Sequence, residues 1–421
     1  MNRHRQAQRR RISGFVAGLL VLAAAVRAAE LRPAPGAARY RLGWQLVTVS
    51  RHAPVPLALE PSYKSADPEY LAIRLGNGAN SIVTAVLDES GGTGAGYDTL
   101  YVDTNNNGDL TDDPVLRPTV RRSGATRALL ADPFDLDIEY ADGSRVQFQA
   151  RLEMRAYETR RPKTLYWSIG CHLTEHMEGE VSIGSRKAMR VGLYDSTDGR
   201  IMSNGCFADY GVDRIRLDLD GDGKLAGDAE NLPLSKVLVL DGKLWQLETV
   251  SSGRRLEIKE CKLPTGMLAF RFRLQKGMSL DDCFIELTSR THGYAFGFPM
   301  TEDERFELPE GSYRVARANV ALPGPKGGRW LATFSMREPV TVRRGREGTV
   351  TVGPVGPPLR VGPKVRGRLR LGRTVCIMPQ ITGVGGERYE NIAPADVRMA
   401  PTLKIVDANE VVVLQAAMEY G

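Results

Sequence analysis

Two segments of this 421-residue chain, 115 positions apart, carry oxygen side chains at the spacing that wraps a hard cation. The first runs Asp103-Thr104-Asn105-Asn106-Asn107-Gly108-Asp109-Leu110-Thr111-Asp112-Asp113, and the second Asp218-Leu219-Asp220-Gly221-Asp222-Gly223-Lys224-Leu225-Ala226-Gly227-Asp228. In each, Asp or Asn at loop positions 1, 3 and 5 points at one centre and a glycine at position 6 permits the sharp turn. The main-chain carbonyl of position 7, Asp109 or Lys224, adds a further hard oxygen. An all-oxygen donor set of this size suits calcium, Ca2+. Position 12, where a bidentate glutamate would close the shell, is Pro114 in one copy and Ala229 in the other. The closing carboxylate is therefore assigned to position 11, Asp113 and Asp228, with Glu230 a second candidate in the later loop. The expected ligands are Asp103, Asn105, Asn107, Asp109 and Asp113 in one site, and Asp218, Asp220, Asp222, Lys224 and Asp228 in the other. Without the glutamate, affinity is expected at about 10⁻⁴ to 10⁻³ M, the range of extracellular modules.

At ordinary Asp, Asn and Gly frequencies one such match arises by chance in roughly a few chains per hundred. Two matches with matching flanks are harder to produce. Gly96-Tyr97-Asp98-Thr99-Leu100-Tyr101-Val102-Asp103 aligns without a gap on Gly211-Val212-Asp213-Arg214-Ile215-Arg216-Leu217-Asp218, the mark of an internal duplication. Leu100 and Val102, like Ile215 and Leu217, alternate with polar residues, and Pro114, Pro118 and Pro233 stand where an exiting helix would begin. Strands, not helices, are therefore predicted to flank the loops. The competing reading is a pair of Asx- and Gly-rich turns that hold no metal. A degenerate third version, Asp195-Ser196-Thr197-Asp198-Gly199-Arg200, reads as a plain turn.

The elements that must position these loops are short and alternating throughout, as in Leu71-Ala72-Ile73-Arg74-Leu75 and Phe270-Arg271-Phe272-Arg273-Leu274, with 44 Gly and 24 Pro between them. No stretch keeps a 3.6-residue period. The expected class is mainly β, several β-sandwich-like domains in tandem, two of them with strand-connected calcium loops. The expected divisions are 1–28 as a signal peptide, 29–150 with the first loop, 151–262 with the second, a sandwich over 263–355, and a C-terminal β domain over 360–421. Glu139-Tyr140-Ala141-Asp142-Gly143 and Val239-Leu240-Asp241-Gly242 each read as a hairpin after a loop.

Residues 1–28 hold six arginines, no acid, and a 12-residue apolar run from Phe15 to Val26, followed by Val26-Arg27-Ala28. This is the pattern of a cleaved export signal and is too short to span a bilayer. A periplasmic, cell-surface or extracellular location is expected, without a transmembrane segment in the mature chain. Setting those arginines aside reduces 57 basic residues to 51 against 50 acidic ones, so the formal charge of +7 is no pointer to nucleic acid. Lys364, Arg366, Arg368 and Arg370 share one strand face and could meet an acidic polymer, though edge protection is the simpler use. The five cysteines lack CxxC spacing; Cys261 and Cys283 are the most local pair for a bridge, and free thiols are the alternative.

No catalytic constellation emerges. His172-Leu173-Thr174-Glu175-His176 fits a zinc pattern that needs a helix, but Leu165, Trp167, Ile169, Cys171, Leu173 and Met177 alternate through it. In a strand the two histidines would stand about 13 Å apart, too far to share an ion. Gly92-Thr93-Gly94-Ala95-Gly96 lacks the lysine of a phosphate loop, and Asp88-Glu89 or Asp281-Asp282 could serve a hydrolase only if the fold pairs them with another acid. Trp44, Trp245 and Trp330 read first as core.

Tyr101 to Asp113, with its repeat around Asp218, resembles uncharacterised secreted bacterial β-proteins with EF-hand- or dockerin-like calcium loops. That resemblance implies export and calcium binding and brings no activity; the absent position-12 glutamate departs from the dockerin pattern. Leu308-Pro309-Glu310-Gly311-Ser312-Tyr313 within 263–355 resembles the transthyretin-like, carboxypeptidase-regulatory-like β-sandwich family. The functional expectation is a binding or surface-structural module with structural calcium, partnered by a glycan or surface protein. The alternative is a secreted hydrolase acting on polysaccharide through an unrecognised carboxylate pair.

Overall fold

The computed structural model describes residues 28–36, 45–93, 96–123, 126–158, 165–195, 198–202, 213–227, 229–274, 282–289, 292–300, 304–323, 329–355, 360–362, 380–382, 386–394, 402–406 and 411–417. The signal-like segment to residue 27, Asp228, Asp281, Cys206, Cys376, Trp44 and the basic residues Lys364 to Arg370 lie outside them. Among the described residues every regular element is a strand, and the strands form several sheets with mostly antiparallel pairing. Among the described residues no helix is long and apolar enough to cross a membrane.

The chain opens on β1 (Ala29–Glu30), β2 (Arg32–Pro35), β3 (Gln45–Leu46) and β4 (Thr48–Ser50). It continues through β5 (Glu69–Arg74), β6 (Ile82–Asp88), β7 (Thr99–Val102) and β8 (Val115–Leu116), with the first loop between β7 and β8. Then come β9 (Thr119–Ser123), β10 (Thr126–Leu130), β11 (Phe134–Glu139), β12 (Arg145–Glu158) and β13 (Leu165–Leu173). Next are β14 (Glu175–Ile183), β15 (Arg186–Tyr194), β16 (Arg214–Leu217) and β17 (Asn231–Pro233), with the second loop between β16 and β17. β18 (Val237–Leu240), β19 (Lys243–Thr249) and β20 (Arg255–Glu260) complete this part.

The duplication is visible in the pairing. One sheet runs β4-β5-β6-β7-β8 and its counterpart β2-β14-β15-β16-β17. Leu100 of β7 stands between Leu87 and Leu116, and Ile215 of β16 between Leu193 and Leu232. The position-1 aspartates leave their strands through the same contact, Asp103 N–H donating to Thr84 O at 2.9 Å and Asp218 N–H to Arg190 O at 3.1 Å. Each repeat has a second sheet with an Asp-Gly hairpin, β11–β12 turning at Asp142-Gly143 and β18–β19 at Asp241-Gly242. Side chains alternate along these strands as a half-buried sheet requires; in β11 Phe134, Leu136 and Ile138 face inward.

The order of strands along the chain is less expected. β3 pairs β13 and β4 pairs β5, so one broken strand enters both sheets of the first repeat, turning at buried Val47. β1 pairs β20 and β2 pairs β14, which does the same for the second repeat at buried Leu31. Residues 29–35 thus belong to the second repeat although they precede the first, and the first repeat is nested within the second. β12 runs unbroken across position 150 in the first repeat's sheet. One contiguous apolar core runs from Leu31 through both repeats to Leu256 and takes in Phe284 of the part that follows.

A second core is built from β21 (Thr265–Leu274), β22 (Asp282–Ser289), β23 (Tyr294–Met300), β24 (Arg305–Pro309), β25 (Gly311–Pro323), β26 (Arg329–Met336), β27 (Val340–Val342) and β28 (Glu347–Val355). β21 pairs β28 in parallel, unlike the other strand pairs among the described residues. Fully buried Tyr313 donates its hydroxyl to Pro309 O at 2.8 Å, which is how the Leu308-to-Tyr313 turn enters β25. The strand Glu387–Pro394 pairs β26 and so extends this part's sheet beyond residue 360. At the junction with the second repeat Arg214 pairs Glu286 at 2.6 Å, and a side chain at Gly297 would meet Pro233 at 2.9 Å. That close approach seats β22 and β23 beside the second loop.

Candidate metal centre

The first loop is a chain of side-chain-to-backbone bonds. Asp103, 1% exposed, accepts the Asn107 N–H on Oδ1 and the Gly108 N–H on Oδ2, each at 2.9 Å. Asn105 Oδ1 accepts from Asn107 N–H at 3.0 Å and Asn107 Oδ1 from Asp109 N–H at 2.7 Å. The Asp109 carboxylate takes the Thr111 N–H and hydroxyl at 2.8 and 2.6 Å. Asp113 Oδ1 holds the position-2 residue, Thr104, through N–H at 3.0 Å and through the hydroxyl, while its Oδ2 is buried without a hydrogen-bond partner. Asp112, given no role from sequence, accepts the side-chain amides of Asn105 and Asn107 at 3.3 and 2.9 Å. The loop is laced to the chain before it by Ala58 N–H to Gly108 O at 2.7 Å and Leu110 N–H to Leu59 O at 3.0 Å. Burial pushes both Asp103 and Asp113 above the ordinary carboxylate range.

In the second loop the carboxylates do converge. Single oxygens of Asp218, Asp220 and Asp222 all lie within 4.8 Å of one another, the one such group of His, Cys, Asp or Glu among the described residues, and it could hold a metal ion. Asx bonds set the turn: Gly223 N–H to Asp218 Oδ2 at 3.1 Å, Asp222 N–H to Asp220 Oδ1 at 3.0 Å, Lys224 N–H to Asp222 Oδ1 at 2.8 Å. Gly223 takes φ +77, as its counterpart Gly108 takes +82, and position 6 therefore needs glycine in both loops. The Lys224 N–H, and then its ammonium 3.2 Å from Oδ2, hold Asp222 below its ordinary pKa. Asp218 is 9% exposed, and its Oδ1 is buried without a hydrogen-bond partner. A buried carboxylate oxygen with no donor costs free energy that a cation would return.

Glu230 has a different task from the one the sequence suggested. Its Oε1 accepts the Leu219 N–H at 2.8 Å and its Oε2 the Ala226 N–H at 3.0 Å, so both oxygens are spent on the backbone. It thus clasps loop position 2, as Asp113 does in the first repeat. Counted to the paired residues Val115 and Asn231, the second loop is one residue longer, and the clasp moves from the loop into its exit. Asp228 lies outside the described residues.

Three arginines that sequence reasoning missed hold the second loop from below. Arg186 donates to Leu219 O at 2.8 Å, Arg216 to Leu225 O at 2.7 Å, and Arg190 to Gly223 O. Arg216 is 1% exposed and lies over the Tyr194 ring, 5.3 Å from its centroid, while His176 stacks on that ring at 4.2 Å. Only the alternation of β15 and β16 hinted at inward arginines. Their partners are set by register.

His176 Nε2 lies 3.1 Å from Glu178, which also pairs with Arg190, but burial outweighs the carboxylate and lowers the imidazole pKa. The folded state therefore prefers the neutral ring. Its contribution is unpenalised above the unfolded pKa of about 6.5, and stability falls as pH drops from there toward the lowered folded value. Urea unfolding of wild type and His176→Gln on either side of that window should show a loss of about 1 kcal/mol in acid for wild type that the variant lacks. A parallel loss in both would remove His176 from the acid response.

The remaining motifs resolve as structure. His172 sits on β13 and His176 on β14, in different sheets, with no helix to unite them. Asp88 accepts Lys64 and Ser65 N–H, and Glu89 accepts Gly96 N–H and the Thr93 hydroxyl, so both pin loops. Asp195 accepts the Gly199 N–H at 2.8 Å in an Asx turn, and burial and Asp213 keep it well above the ordinary carboxylate range. Trp245 is core, its Nε1 donating to Leu240 O at 3.2 Å. Cys261 and Cys283 are not joined by a disulfide, so the Cys261–Cys283 bridge is not formed.

No protein-family model matches the chain, and no curated protein matches its sequence. Among solved structures, a cryo-EM structure of the membrane pore complex of pneumolysin aligns at 11% identity over 77% of this chain and 66% of that chain, just under two thirds of its length. Its TM-score of 0.11 carries no argument about fold or function. Among the described residues this is an all-β, multi-sheet protein with one aspartate triad, Asp218 buried and Asp220 and Asp222 exposed.

Proposed function

We propose that the loop from Asp218 to Glu230 is a calcium site that braces the second repeat of an exported β-protein, and that the protein serves as a binding or surface-structural module for a glycan or surface protein. The observation that carries this reading is the buried Asp218 Oδ1, left without a donor beside the gathered carboxylates of Asp220 and Asp222. Asp218, Asp220, Asp222 and the Lys224 carbonyl would be the ligands. All are hard oxygens, the chemistry calcium takes. The role is structural: the ion offsets repulsion among three carboxylates and leaves the Asx turns intact.

The first loop is the weaker of the two sites in this reading. Its positions 3 and 5 are neutral amides, and both oxygens of Asp103 already accept N–H groups. Fewer charges at those positions mean lower affinity. Calorimetric titration of calcium into metal-free protein should give a dissociation constant of about 10⁻⁴ to 10⁻³ M for the second loop. Asp220→Ala should weaken that step at least about tenfold, one ligand charge of the set being lost. Absence of heat in the wild type at millimolar calcium would sink the proposal.

A further inference from the structure

We infer that Asn107, in the first loop, is a self-modification site: the backbone nitrogen of Gly108 attacks the Asn107 side-chain amide, Asp103 serves as the base, and the succinimide so formed hydrolyses to aspartate or isoaspartate. The reaction needs only this chain and water. It does not depend on the calcium reading.

Asparagine is followed by glycine at Asn77-Gly78, Asn107-Gly108 and Asn204-Gly205. Glycine has no Cβ to screen its own nitrogen and moves freely in backbone space, so this pair is the least hindered setting for the ring closure. Asn204 lies outside the described residues, and the other two asparagines stand in opposite surroundings.

At Asn107 each reacting atom has a partner suited to its part. The nucleophile is Gly108 N, whose N–H donates to Asp103 Oδ2 at 2.9 Å, where a carboxylate can take the proton as the nitrogen attacks. The electrophile is Asn107 Cγ. Its oxygen, Oδ1, accepts the Asp109 N–H at 2.7 Å, which sets a donor where negative charge develops during the attack. That bond also closes an Asx turn and folds the side chain back over the Gly108 peptide, the orientation that ring closure requires. The leaving nitrogen, Nδ2, is held by Asp112 Oδ2 at 2.9 Å. Asn107 is exposed, so water reaches the ring.

The bond from Gly108 N to Cγ forms, the Cγ–Nδ2 bond breaks, and Nδ2 leaves as ammonia, taking up the proton that Asp103 removed. Water then opens the ring. Breaking the new N–Cγ bond leaves aspartate, the residue that the second loop carries at the same position as Asp222. Breaking the original peptide bond leaves isoaspartate, whose backbone is one carbon longer and cannot keep both N–H bonds onto Asp103. Asn77 lacks this arrangement. The Gly78 N–H donates to a neutral carbonyl, Glu139 O, at 3.0 Å, and the Asn77 side chain is drawn away to Ala141 N–H at 2.9 Å and the Ser251 hydroxyl at 3.4 Å.

The test is to hold the whole protein at neutral pH in EGTA and follow each asparagine by peptide mapping, with fragmentation to place the site and H₂¹⁸O to mark ring opening. Asn107 should be converted at least about tenfold faster than Asn77, which has no base on the attacking nitrogen. Asp103→Asn keeps the side chain's shape and an acceptor but cannot take the proton, and it should slow conversion of Asn107 at least about tenfold. A loop merely loosened by the substitution would react faster, so slowing cannot come from damage to the fold. Equal rates at Asn107 and Asn77 in the wild type would overturn the inference without any variant, and so would conversion in Asp103→Asn that matches or exceeds that of the wild type.

Discussion

Asp218→Asn should raise or leave unchanged the melting temperature in EGTA and lower it relative to wild type in saturating calcium. Asparagine keeps the acceptor for the Gly223 N–H, whose present distance to Oδ2 is 3.1 Å, and removes the charge. Without metal, the wild-type carboxylate is a liability: it is nine-tenths buried, its Oδ1 has no donor, and Asp220 and Asp222 stand within 4.8 Å. With metal, the same charge is the central ligand. A single site at calcium 100-fold above the dissociation constant contributes about 2.7 kcal/mol. For a cooperative unit of this size that corresponds to roughly 5–10 °C in the transition containing the second repeat. A melt of both proteins, with and without calcium, checks the crossing. Parallel curves in the two conditions would mean that Asp218 does not meet an ion.

The largest loss of stability is expected from Gly76→Ala, at the seam of the two repeats. Gly76 has φ +75, and a Cβ there would lie 2.2 Å from Glu139 O and 2.8 Å from Ile138 Cγ2. Backbone on one side and a core side chain on the other leave no cheap route for relief. Its N–H donates to Asp198 O in the second repeat at 2.8 Å, and Tyr140 donates its hydroxyl to Gly199 O at 2.7 Å, so the same few residues join the repeats. Left-handed backbone with a side chain costs about 1–2 kcal/mol, and the clash adds to it, for a total of about 4 kcal/mol or more. Denaturant unfolding of the variant measures this directly. A cost near that of Gly143→Ala, where φ is +78 and nothing lies within 4 Å, would show that the seam yields freely.

The nesting of the repeats gives this seam its consequence. Because β1 and β2 precede the first repeat yet pair with β20 and β14, the second repeat cannot complete both sheets until the chain has returned from residue 173. Contacts between residues 29–35 and 175–256 close a loop of more than a hundred residues, a cost that grows slowly with length and must be met before those strands are stabilised. Strain at the seam, and loss of the proposed cation, would both act on the part of the molecule assembled through such long-range pairs.

Much of this was legible in the chain because it is local. Alternation of apolar and polar residues specifies strands, and Asp-Asn-Gly spacing specifies Asx turns, since the bonds from Asp218 to Gly223 and from Asp220 to Asp222 span only a few residues. The gapless match of 96–103 to 211–218 likewise announced a duplication that the strand registers bear out. The same spacing cannot say which oxygens face an empty centre. In both loops side-chain oxygens accept backbone N–H groups; in the first Asp113 clasps Thr104, whereas in the second three carboxylates also gather and Glu230 takes over the clasp.

By itself, then, the sequence determined an all-β chain, two strand-connected oxygen-rich loops and their kinship, all through interactions within a turn or along a strand. Tertiary structure decided the nested strand order, the arginines from β15 and β16 that hold the second loop's carbonyls, and the seating of Phe284 and Pro299 beside Asp220. Those features depend on pairing register and sheet packing between residues tens to hundreds of positions apart, and no local spacing encodes such distances.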